Sequence, residues 1–384
     1  SVRPGGHPWD RRLQWSEPER AFIDQHARAG AEFVIVDEGP GMSGSTFLSV
    51  AAALEDRGVL AERIHLLCSH LPDPARLIAP GAAQRWPRYH SYAAPPLRAP
   101  EGSIDVSAGL WRRYFLGPPS TWPASWTQLE RVKWWYPEHA ALDKFEGLLP
   151  YAAAAHSRAQ TLADAGLAPR VRPLADGFAR YEVLPGRAAL AADLSAATLL
   201  GLARYCAFRA RSFPAADSDV RALSDMLRVN LDEIFGHVPD AVPPLEVQTP
   251  IVCDARMQPY EWRFDLQGRL YKTDGHSHGD DHLLPGPTDV AWDLAGAISE
   301  WNMSEAQAQQ LVQTYAELTN DRSAQRRLPA FRIAYDALRY AQLSFAASSA
   351  DAAEQPRLAA ARARHARALR RLLGLAQPAG QVPA

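Results

Sequence analysis

Pro185-Gly186 divides this chain between two hydropathy periods, and that break restricts the folds open to it. Before it, residues 127–136, 141–146, 170–174 and 177–184 are short β-prone runs, and 151–165 is an Ala-rich helical stretch that stops on Gly166. After it, 193–213 and 219–235 carry apolar residues at helical spacing. Strands gathered before the break and helices after it predict an α+β domain with a small sheet lobe and a larger helical lobe.

Composition bounds the rest. The 384 residues are 47% hydrophobic and 22% charged, enough for two or three domains with a real core. A net charge of -2 gives no general attraction for nucleic acid or an anionic membrane. Cys68, Cys206 and Cys253 stand at unrelated spacings, which fits neither a disulfide framework nor a zinc site and predicts a reducing cytoplasm. No apolar run is long enough to cross a bilayer, and the first residues lack the apolar core of a signal peptide. A soluble, cytoplasmic protein is the expectation.

Near the N-terminus, Phe33-Val34-Ile35-Val36 is an apolar run of the kind found in a strand buried on both faces, and it ends on Asp37-Glu38. A Gly-rich, hydroxyl-bearing turn follows, then an Ala/Leu-rich helix over 47–57 and a second strand over 63–68. This βαβ unit offers loop amides and a helix N-terminus to a phosphate. Val34-Ile35-Val36-Asp37-Glu38 and Ser43-Gly44-Ser45-Thr46 resemble the PRPP-binding signature of type I phosphoribosyltransferases. The resemblance implies that Asp37 and Glu38 hold the ribose hydroxyls and that Ser43, Gly44, Ser45 and Thr46 wrap the 5′-phosphate of PRPP. Only residues 1–32 precede the strand, so the likeness is to a partial domain.

The stretch from Gly268 to Trp301 concentrates chemistry. Arg269-Leu270-Tyr271-Lys272 reads as a strand that delivers Asp274 to its end, and 275–287 is a polar loop holding His276, His278, Asp280, Asp281 and His282. Those five residues are read as solvated or substrate-facing in preference to a separate transition-metal site. A helix starts near Thr288 or Asp289, with Asp289 and Asp293 expected to cap it or to hold a neighbouring loop. Trp292 and Trp301 are expected in the core.

The order of elements over residues 125–345 resembles the aminoglycoside and choline kinase branch of the protein-kinase-like fold. The resemblance implies that Lys144 holds the ATP phosphates, with Lys133 as runner-up, and that 181–184 is the hinge between lobes. It further implies that Asp254 is the catalytic base, that Asp274 and Glu261 hold Mg²⁺, and that the acceptor is a small hydroxyl-bearing molecule. Phosphoryl transfer asks for these residue types because it consists mainly of positioning and charge neutralisation. Val252-Cys253-Asp254 replaces the family's His-Gly-Asp, and the helix after Lys144 offers only Gln160 and Asp164 where a Glu partner belongs.

The expected organisation is therefore a partial phosphoribosyltransferase-like α/β region (1–100), a connector (101–125), a kinase-like domain (126–350) and an Arg/Ala-rich helix with a tail (351–384). ATP-dependent phosphorylation of a hydroxyl is the leading function. A PRPP-dependent transferase using the 37–46 loop and a non-catalytic, pseudokinase-like nucleotide-binding protein are the alternatives.

Overall fold

The computed structural model describes residues 2–376 except 3, 8, 38, 96, 149, 280–283 and 285. The chain forms two compact units, Ser1–Arg98 and Ala99–Ala384.

In the first unit β1 (Gly5–His7) pairs with β2 (Asp10–Arg12), and α1 (Glu17–Arg28) follows. Next come β3 (Phe33–Val36), α2 (Ser45–Glu55), β4 (Ile64–Cys68), α3 (Ala82–Arg85) and β5 (His90–Ala93). The strands β3, β4 and β5 are parallel in that order, with Phe33 opposite Ile64 and His65 opposite His90. Phe47, Leu48, Leu54, Ile64, Leu66, Trp86 and Tyr89 form the core. Ile35 joins it, but Val34 and Val36 are 59% and 68% exposed. The 33–36 run therefore has one buried face, not the two expected. Alternate side chains of a strand point to opposite sides, and α2 packs on the side of Ile35.

The second unit opens with β6 (Ile104–Asp105), α4 (Trp111–Phe115), β7 (Lys133–Tyr136), β8 (Ala141–Phe145), α5 (Pro150–Asp164), β9 (Val171–Pro173) and β10 (Phe178–Glu182). The strands form one antiparallel sheet in the order β6-β7-β8-β10-β9, with Lys133 opposite Lys144. At Pro185-Gly186 the chain leaves this sheet for β11 (Arg187–Ala188). Gly186 has φ +132°, and a Cβ there would stand 2.0 Å from the Phe264 carbonyl oxygen, so only glycine fits.

Helices α6 (Ala196–Ser212) and α7 (Val220–Phe235) come next, then β12 (Pro250–Ile251), β13 (Trp262–Phe264), β14 (Leu270–Lys272) and β15 (Thr288–Asp289). The chain closes with α8 (Ala291–Glu300), α9 (Glu305–Thr319), α10 (Ala324–Ser349) and α11 (Gln355–Leu372). Short antiparallel pairings of β11 with β13 and of β13 with β14 set Trp262 opposite Lys272. The helical core is built around α8, whose residues 291–298 are all buried, Trp292 among them, and Trp301 just beyond it is buried too. The Arg-rich terminal helix packs on the rest of the unit: Leu358 and Leu369 are buried, and Arg364 stands 2.5 Å from Glu300 on α8. Among the described residues no helix is long and apolar enough to cross a membrane.

Candidate functional site

Two residues of β8 lie two apart and so share a face of the strand: Lys144 and Glu146, just past its end. Lys144 is buried, its Nζ 2.7 Å from Asp274 Oδ1 and 3.4 Å from Glu146 Oε1. Glu146 also accepts from Tyr181 Oη at 2.8 Å and from Arg131 at 2.7 Å, and His276 Nε2 lies 2.8 Å from its Oε1. Burial pushes the Glu146 carboxyl up, but Lys144 and His276 outweigh it and hold it at about 2. The carboxylate partner that Lys144 lacks on α5 is thus supplied by its own strand. Gln160 donates to Asp164 on the exposed side of α5 and takes no part.

Lys144 lines a cavity of about 150 Å³. Its apolar walls include Trp111, Phe115 and Leu116 from α4 and the residue after it, Leu142 from β8, Val183 and Leu184 from the expected hinge, and Trp262 from β13. Its polar groups include Lys133, Lys144, Glu261 and Asp274. Lys133 pairs with Glu130 at 3.3 Å and lies over the Trp111 ring. The stretch 101–125 therefore contributes an edge strand to the sheet and an aromatic wall to this cavity.

Behind the cavity stands Lys272, buried at the end of β14. Its Nζ is 2.7 Å from Glu261 Oε2 and 3.4 Å from Asp254 Oδ2, and it also donates to the Asp274 carbonyl. Burial works against its charge, but Asp254, Glu261 and Asp274 outweigh burial and raise its pKa. Glu261 is pushed up to about 7, first by burial and then by the neighbouring Asp274 and Asp254, with Lys272 opposing. Asp274 is held well below the usual carboxylate range because Lys144, His278, His276 and Lys272 overcome its burial. Gly275 follows Asp274 at a point where a Cβ would lie 2.1 Å from Tyr205 Oη and 2.8 Å from Asp254 Oδ2.

Asp254 is fully buried and accepts from Tyr205 Oη at 2.5 Å. Its loop is gripped from α8: Asp293 accepts from the amides of Asp254 at 2.9 Å and Ala255 at 3.0 Å. Ala255, within this grip, has φ +65°, in the left-handed region. Asp289 accepts from the amides of Gln248 at 3.0 Å and Ala291 at 2.9 Å, so both carboxylates hold neighbouring backbone, one of the two roles expected of them. Arg209 on α6 is wholly buried. It donates to the carbonyls of Val252 and Gly275 and to Tyr205 Oη, and its Nε lies 3.5 Å from Asp293.

No family model matches this chain. No curated protein matches it either. Among solved structures it is similar to a choline/ethanolamine kinase family protein from Mesorhizobium loti, with 16% identity over 63% of this chain and 90% of that one and a TM-score of 0.40. The choline kinase LicA from Streptococcus pneumoniae matches with 13% identity over 62% and 89%, TM-score 0.44. The macrolide 2'-phosphotransferase MphH from Brachybacterium faecium, an apoenzyme structure, matches with 15% over 60% and 88%, TM-score 0.39.

Lys144, Asp254, Glu261 and Asp274 thus converge within one unit. Asp37, Ser43, Gly44, Ser45 and Thr46 lie in the other, and Glu38, Asp280, Asp281 and His282 fall outside the described residues. Asp37 follows β3, Gly44 is a left-handed N-cap of α2, and Ser43 Oγ donates to Ser45 Oγ at 3.0 Å. Ser45 is buried, and Thr46 stands in the first turn of α2.

Sequence reasoning missed Glu146, Lys272, Tyr205 and Arg209. Two signals were available. Tyr205 and Arg209 are four apart, on one helical face, and the chain contains only three lysines, Lys133, Lys144 and Lys272, against its many arginines. All three stand at this site.

Proposed function

We propose that residues 99–384 bind ATP in the cavity around Lys144 and transfer its terminal phosphoryl group to a hydroxyl of a small molecule. The observation that carries this reading is the meeting of Lys144 and Asp274 at 2.7 Å on a cavity that also has an apolar, aromatic wall of Trp111, Phe115, Leu142 and Trp262. An apolar, aromatic wall beside a buried ammonium–carboxylate pair suits a base at one place and phosphates at another. Lys144 exchanges part of its contact with Asp274 for the phosphates. Asp274 and Glu261 are hard oxygen donors that fit Mg²⁺, which when bound neutralises charge on the phosphates. Asp254, fixed by Tyr205 and by the Asp293 grip on its backbone, orients the acceptor hydroxyl and takes its proton.

PRPP at the 37–46 loop is the weaker reading, since Ser43 spends its hydroxyl on Ser45 and Ser45 is buried. A thermal-shift titration with ATP and Mg²⁺ tests the proposal. Ligand at about 100 times Kd stabilises by about 2.7 kcal/mol. Wild type is expected to show a metal-dependent rise in Tm that Asp274→Ala abolishes and Asp37→Ala leaves intact. Stabilisation by PRPP alone, lost in Asp37→Ala, overturns the assignment. Because the chain has only three lysines, an acyl-phosphate ester of ATP gives an independent readout by acylating Lys144.

A further inference from the structure

His278 stands beside the carboxylate cluster and makes no hydrogen bond among the described residues. It is nine-tenths buried. Its Nδ1 has no hydrogen-bond partner among the described residues, and its Nε2 lies 3.8 Å from Asp274 Oδ2. A ring nitrogen of His278, a carboxylate oxygen of Asp254 and one of Glu261 all lie within 4.8 Å of one another. A neutral imidazole carries one N–H and one lone pair, and in the tautomer whose lone pair faces the carboxylates a cation held between them is the partner that satisfies both. Lys272 meets only part of this demand: it takes Glu261 Oε2 and Asp254 Oδ2, and Glu261 Oε1 has no donor among the described residues.

The geometry points to a divalent-cation site formed by Asp254, Glu261 and His278, selective for an ion of the Mn²⁺ kind over Mg²⁺ and filled without nucleotide. The selectivity follows from the donor set. Mg²⁺ prefers an all-oxygen octahedron and keeps much of its water, whereas an imidazole nitrogen beside two carboxylates suits first-row transition-metal dications, of which Mn²⁺ is the paramagnetic probe. The inference rests on the phosphotransfer reading and shares Glu261 and Asp254 with it: their cluster holds a resident ion distinct from the Mg²⁺ that ATP brings to Asp274. Of the histidines that crowd the 275–287 loop, His278 faces the cluster as a ligand, while His276 is occupied by Glu146 and Tyr181.

Mn²⁺ titration of the full chain, stripped with chelator and followed by the electron paramagnetic resonance of free Mn²⁺, tests this without nucleotide or turnover. One ion per chain is expected to bind, with excess Mg²⁺ failing to displace it. Glu261→Gln and His278→Ala are each expected to weaken binding at least about tenfold. His278→Gln, which preserves side-chain bulk, replaces the Ala variant if circular dichroism shows that variant unfolded. Absence of saturable Mn²⁺ binding in folded wild type, or binding unchanged in folded His278 and Glu261 variants, overturns the site. An ATP thermal shift on the same wild-type samples separates the two readings: no saturable Mn²⁺ binding with the ATP response present counts against the cation site alone. The ATP response lost with Mn²⁺ binding retained counts against the kinase reading alone.

Discussion

Glu146 shows how one carboxylate organises a site that its sequence neighbours do not announce. Four groups converge on it: Lys144, Tyr181, Arg131 and His276. Its pKa of about 2 lies below the usual 4.5, so the folded state gives up its proton more readily than the unfolded chain. That contribution to stability is complete above about pH 4.5 and disappears as pH falls toward 2, a difference of about 3 kcal/mol. Glu146→Gln is expected to be less stable than wild type at pH 7 and to lose less on acidification. Urea unfolding at a series of pH values between 2 and 7 measures this, and parallel curves for the two proteins would refute the assignment. The Lys144–Glu146 pairing was legible in principle, because residues two apart on a strand share a face. The burial of Arg209 was not. Helical periodicity places an arginine on a face but says nothing of the carbonyls that Val252 and Gly275 bring to it from distant parts of the chain.

At the scale of elements, the decisive contact is between the first turn of α8 and the loop that carries Asp254. Asp293 offers two acceptor oxygens to two successive amides and also neutralises Arg209. Asparagine in its place supplies one acceptor and turns an NH₂ group toward the second amide, so the loop must shift. Displacement of a reacting group by about 1 Å costs on the order of 100-fold in rate. Asp293→Asn is therefore expected to lower kcat by roughly that factor while leaving the ATP-induced rise in Tm in place; a variant that loses both would assign Asp293 to folding and not to loop position. Sequence pattern identified α8 and the anchoring carboxylates because a strongly apolar helix with acidic residues at its start leaves few alternatives. It did not identify β6 or the role of α4. Residues 101–125 have no sustained period, and a two-residue strand such as Ile104–Asp105 is defined only by its pairing with Trp134 and Trp135. The aromatic wall that Trp111 and Phe115 give to the cavity follows from that pairing and from the buried ion pair of Arg112 with Glu354, 242 residues away.

At the scale of the molecule, the chain divides where its regular structure lapses. Among the described residues, 94–103 contain neither helix nor strand, and Leu97 and Arg98 are exposed. A protease needs an extended, accessible backbone, and the unit boundary after Arg98 provides it. Each side has its own core: Phe47, Ile64 and Trp86 on one, and Trp262, Trp292 and Phe331 on the other. Brief trypsin treatment is therefore expected to yield an early fragment starting at Ala99, identified by mass spectrometry. The nicked sample is expected to keep the ATP-dependent rise in Tm, because every group assigned to the nucleotide lies between Trp111 and Asp274. Early cleavage within 111–135 would instead mean that the aromatic wall opens more readily than the boundary. The same experiment tests whether the first unit contributes to nucleotide binding. A response lost on cleavage at Arg98 with the Ala99 fragment still folded would make the βαβ unit part of the nucleotide site and would return the 37–46 loop to the centre of the chemistry.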